Sequence, residues 1–102
     1  MEQLISLIHE NALAKGFWDK ESSDAEKIML VVTELAEAVE ALRKGNPESE
    51  KIPGFSHVEE ELADAVIRIM DLCGGRKYRL HEAILAKMKH NADRPMMHGK
   101  EF

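Results

Sequence analysis

Four acidic residues stand in two pairs of equal spacing, Glu34 with Glu37 and Glu61 with Asp64. Residues three apart on a helix are neighbours on one face, so each pair sets two carboxylates side by side. If the two segments pack antiparallel, all four groups converge. Like charges in one space repel, so such acids must either take up protons or hold cations. Oxygen donors without Cys or His favour Mg²⁺, with Mn²⁺ as a substitute, over Zn²⁺. A di-iron bundle wants Glu-x-x-His on facing helices, and the chain contains no such tetrad. Lys87, Asn91 and Arg94 form a polar row on a segment that otherwise looks inward-facing. Carboxylate-held Mg²⁺ near such cations suits a polyphosphate ligand. The competing reading is a solvated acidic face. Against it stands Glu34, flanked by Leu30, Val31, Ala38 and Ala41, where a half-buried carboxylate is costly unless something compensates it.

The elements that must position these groups read as helices. Runs rich in Ala, Leu, Glu, Lys and Met predict helices at about 2–15, 23–44, 56–73 and 77–92. Breaks are expected at Gly16, along Gly45-Asn46-Pro47 to Pro53-Gly54, and at Gly74-Gly75. Ser22, Ser23 or Asp24 can cap the second helix, and Ser56 with Glu59 makes a capping box for the third. The fold class is therefore all-α, a single domain over 1–102. On the second helix Ile28, Val32, Leu35, Val39 and Leu42 form a stripe, widened by Leu30, Val31, Ala38 and Ala41. A helix that broad is packed on two sides, as in a bundle or a dimer interface. The third helix has a broad apolar side including Leu62, Val66, Ile69, Leu72 and Cys73, and a narrow face of Glu61, Asp64, Arg68 and Asp71. Arg68 is expected to pair with Asp64 or Asp71. Leu80, Ile84 and Met88 make a core-like row on the fourth helix.

Composition narrows the classes. The 102 residues carry 14 Lys plus Arg against 19 Asp plus Glu, a net charge of −5 that argues against a nucleic-acid-coating module. No apolar run reaches the roughly 20 residues a membrane span needs. The opening MEQLISLIHE lacks the basic start and apolar core of a signal peptide. One cysteine, Cys73, forms no internal disulfide, which fits a cytoplasmic location. A chain this short buries only about two-thirds of its unfolded surface, so self-association is expected.

The run Thr33-Glu34-Leu35-Ala36-Glu37, followed after 23 residues by Glu61-Leu62-Ala63-Asp64, resembles the paired acidic motif of MazG-like nucleoside triphosphate pyrophosphohydrolases. The tail Lys87-Met88-x-x-Asn91-x-x-Arg94 with His98-Gly99-Lys100 is similar to that family's C-terminal signature, and His9…Gly16-Phe17-Trp18 to the opening of its small stand-alone members. Thr33 departs from the pattern, standing where many members have the first Glu. The resemblance implies a four-to-five-helix bundle completed by homodimerisation, often paired again into a tetramer. It implies Mg²⁺-dependent cleavage of (deoxy)nucleoside triphosphates to monophosphate and pyrophosphate, a nucleotide house-cleaning activity. Glu34, Glu37, Glu61 and Asp64 would then be the metal-holding catalytic acids. Lys87, Asn91 and Arg94 would meet phosphate or sugar, and His9 and Trp18 the base. Without the resemblance, Trp18 reads as a plug at the end of the bundle. The alternatives are the related phosphoribosyl-ATP pyrophosphohydrolase of histidine biosynthesis and a non-catalytic helical dimer.

Overall fold

The computed structural model describes residues 1–94, so His98-Gly99-Lys100 lies outside the described residues. Four helices run in order: α1 Glu2–Ala14, α2 Asp24–Arg43, α3 His57–Arg76 and α4 Leu80–Ala92. An isolated bridge between Glu48 and Ser56 is the one extended pairing among the described residues.

Both long helices begin with a complete capping box. Ser23 accepts from Glu26 N–H while Glu26 accepts from Ser23 N–H, and Ser56 with Glu59 repeats the arrangement. Each box satisfies two amides that the first turn would leave orphaned. The connection between α2 and α3 is folded tightly. Ser49, buried, donates to Glu60 Oε1 at 2.6 Å and accepts from Ile52 N–H, while Asn46 Oδ1 accepts from Val58 N–H. This loop turns the chain so that α2 and α3 run antiparallel. Asp24 meets Arg76 at one end, Glu34 meets Arg68 midway, and Asn46 meets Val58 at the other.

Small residues bring the helices close. Ala38 and Ala41 of α2 and Ala65 of α3 are buried, and α1 adds Ile5 and Ala12 against α3. The expected break at Gly74-Gly75 does not occur: α3 continues through both to Arg76. These glycines serve close approach instead. A Cβ on Gly74 would lie 2.9 Å from the Cβ of His9, and one on Gly75 would overlap the Trp18 ring. The helix ends at Lys77, which adopts the left-handed conformation at φ 60°.

The faces are the unexpected part. The stripe Ile28, Val32, Leu35, Val39 and Leu42 stands 44–57% exposed, and Leu62, Val66 and Ile69 on α3 are exposed too. Helix α3 is packed from both sides: Glu60 and Glu61 of its acidic side are buried, and so are Ala65, Met70, Leu72 and Cys73 of its apolar side. Helix α4 buries no residue, and of its expected core row Met88 is exposed. It makes at most marginal contact with the other helices. Among the described residues no helix is long and apolar enough to cross a membrane.

The glycine packing yields a direct test. Gly75→Ala forces its methyl into the indole, an overpacking that costs about 1–3 kcal/mol. Urea unfolding followed by emission of the sole tryptophan should show that loss; unchanged stability would mean that the ring does not rest on Gly75.

Candidate metal and phosphate site

The central acids are placed by two helices whose register is set by the loop between them. One carboxylate oxygen each from Glu34, Glu61 and Asp64 lies within 4.8 Å of the others. Glu61 is only 7% exposed, and Glu34 and Asp64 are half-buried. Glu37 is exposed and lines the same cleft without joining this cluster. The cleft measures about 630 Å³ and also receives Lys15, Lys51, Arg68 and Asp71.

Electrostatics follow from this crowding. Burial, the largest cause, and contact with the Glu34 carboxyl push the Glu61 pKa up, against a hydrogen bond from His57 that lowers it. His57 Nε2 stands 3.1 Å from Glu61 Oε1. Asp64 is raised as well, by burial first and then by the charges of Glu34 and Glu60. Arg68 does not pair along its own helix as expected. Its Nε–H donates to Glu34 Oε1 at 3.0 Å, across to α2, because the inward tilt of this face brings a third carboxylate within its reach. One guanidinium offsets one of three acids.

Three hard oxygen donors fit Mg²⁺ or Mn²⁺, which take carboxylate ligands together with water. Glu34, Glu61 and Asp64 are the residues that could hold such an ion. The Thr33 hydroxyl turns back to its own helix, donating to the Leu30 carbonyl at 2.7 Å.

The remaining sequence candidates lie elsewhere. His9 and Trp18 come together, but on Asp71: His9 Nδ1 is 2.8 Å from Asp71 Oδ1, and Trp18 Nε1–H donates to both oxygens at 2.9 and 3.1 Å. Their rings meet edge to face at 5.2 Å, and Lys27 Nζ sits 3.8 Å over the indole. Lys87, Asn91 and Arg94 are exposed and none lines the cleft. Lys15, Lys51 and Phe17 line it and were not singled out as site residues from sequence; Lys15 just past α1 and Lys51 in the α2–α3 loop are lone cations whose spacing carries no signal of its own. Asp71 was legible only as the fourth member of the α3 polar row. Cys73 is buried, with its thiol pKa raised by that burial, and is inert packing.

Set against protein-family models, curated proteins and solved structures, the chain matches none of them.

Both acid shifts are upward, which sets the sign of their effect. In the metal-free chain Glu61 and Asp64 favour the folded state below the ordinary carboxylate range, and that contribution is lost as pH rises through the raised values. A divalent ion competes with those protons, so its stabilising effect grows over the same rise. At about 100 times its Kd, Mg²⁺ should add roughly 2.7 kcal/mol. Glu61→Gln should raise metal-free stability at neutral pH and remove most of the Mg²⁺ response in thermal unfolding. An undiminished response would place the ion elsewhere.

Proposed function

We propose that this chain is a Mg²⁺-dependent nucleoside triphosphate pyrophosphohydrolase of the MazG-like kind. It acts as a homodimer and releases monophosphate and pyrophosphate. The observation that carries the reading is the meeting of Glu34, Glu61 and Asp64 in a cleft that also holds Lys15, Lys51 and Arg68. Carboxylates alone describe a cation site, and lysines alone an anion site. Both together suit a ligand that is itself a metal–polyphosphate complex. The order of the acidic and C-terminal motifs along the chain supports the same assignment through the family resemblance.

A divalent ion bound there supplies neutralising charge to phosphate oxygens and lowers the pKa of a water. The chain's own residues do the rest. Glu34, Glu61 and Asp64 would hold the ion, which would relieve their mutual repulsion. Glu37, exposed on the same wall, would orient a water and take its proton. Lys15, Lys51 and Arg68 spread positive charge along the phosphates, the electrostatic stabilisation that phosphoryl transfer depends on. His9 and Trp18 act indirectly, by fixing Asp71 in the wall.

The dimer is proposed on the exposed stripes of α2 and α3, where Ile28, Val32, Leu35, Val39 and Leu42 and then Leu62, Val66 and Ile69 are left uncovered. Since Lys87, Asn91 and Arg94 do not line the cleft of their own chain, their phosphate role is proposed across that dimer.

Product analysis with each triphosphate tests the assignment. Glu37→Gln and Asp64→Asn should each cut Mg²⁺-dependent pyrophosphate release by about a hundredfold or more with helicity unchanged; full activity in both rejects it. Turnover of phosphoribosyl-ATP alone would assign the chain to the histidine-pathway reaction. Sedimentation should give a dimer for the native chain and a monomer for Val39→Asp.

A further inference from the structure

Of two adjacent aromatic residues, the fold uses one and leaves the other in the cleft. Trp18 is committed. Its N–H is taken by Asp71, Lys27 lies over its ring, and its benzo edge rests on Gly75. Phe17 is 68% exposed, the highest value for any large apolar side chain among the described residues. Its exposure is not that of a loose tip. Phe17 N–H donates to the Ala12 carbonyl at 3.0 Å, Gly16 before it holds a left-handed turn at φ 81°, and Trp18 after it is anchored. The ring borders the carboxylate cleft and an adjoining cavity of about 320 Å³ that shares Arg68 and Asp71 with it.

We propose that Phe17 is the stacking surface for the base of a nucleoside triphosphate whose phosphates lie at Glu34, Glu61 and Asp64. This rests on the pyrophosphohydrolase reading and deepens it by naming how the nucleoside is held. Phe17 and the three acids line one cleft of about 630 Å³, which also takes in Asp71, the residue that anchors the adjoining tryptophan. A cleft of that size suits a ligand with its phosphates at the acids and its ring at Phe17. Every base has a π-face, so a platform of this kind accepts purines and pyrimidines alike. The substrate class is therefore broad in base, with recognition resting on the triphosphate and a flat ring together.

The test compares two probes in Mg²⁺: an α,β-imido nucleoside triphosphate, in purine and pyrimidine forms, and inorganic tripolyphosphate. Phe17→Ala should weaken both nucleotide analogues about tenfold or more while tripolyphosphate binds as before, and Phe17→Trp should restore the loss. Helicity and sedimenting mass should not change. Nucleotide binding equal to the native chain, an equal loss for tripolyphosphate, or a fall in mass that makes Phe17 a subunit contact would each overturn the proposal. If the native chain binds neither probe, the pyrophosphohydrolase reading itself fails and the proposal with it. Should the native chain bind only tripolyphosphate, the phosphate site stands and the base platform falls.

Discussion

Glu61 is the side chain on which the arrangement turns, a carboxylate almost withdrawn from water in contact with two others. Its burial follows from the α2–α3 seam. Ala38, Ala41 and Ala65 let the helix backbones approach, and the loop through Ser49 sets their register. That closeness leaves Glu34, Glu61 and Asp64 facing one another rather than bulk solvent. The repulsion is only partly relieved by Arg68 on Glu34 and His57 on Glu61. A purely structural seam would be more stable with apolar residues at these positions. The fold gives up stability here, which the proposed cation would return.

A second consequence is that buried carboxylates coexist with uncovered apolar surface. Helix α3 buries Glu60 and Glu61 while Leu62, Val66 and Ile69 stay exposed, as does the α2 stripe. Within a single chain this is a poor use of apolar residues, because their transfer from water contributes little unless they are covered. The thin alanine-rich core and the unseated α4 belong to the same picture. What the single chain leaves exposed is the surface a second copy is proposed to cover.

Local signals were legible in the sequence and facing was not. Helix segments and both capping boxes appear close to where propensity and Ser-x-x-Glu spacing put them. The convergence of Glu34 with Glu61 and Asp64 also follows from spacing and an antiparallel turn. Periodicity, however, reports which residues share a face and not which face meets a neighbour. The stripe of Ile28, Val32 and Leu35 is therefore real as a stripe and uncovered in the chain. Gly74 and Gly75 read as a break because glycine is a poor helix former, whereas tertiary contact with His9 and Trp18 requires the absence of a side chain there. The partner of Arg68 was hidden for a similar reason. Neighbours three and four residues away compete with one 34 positions distant, and only the packing of the helices decides.

Whether Glu34, Glu61 and Asp64 form one cation site is read directly with Mn²⁺, through paramagnetic broadening of backbone amides. Substoichiometric Mn²⁺ should broaden the amides around Glu34, Glu61 and Asp64 first, leaving those around Glu2 and Glu82, a surface acidic cluster near His81, unaffected until higher concentration. Broadening that appears at both places together, or at the surface cluster first, would contradict the claim.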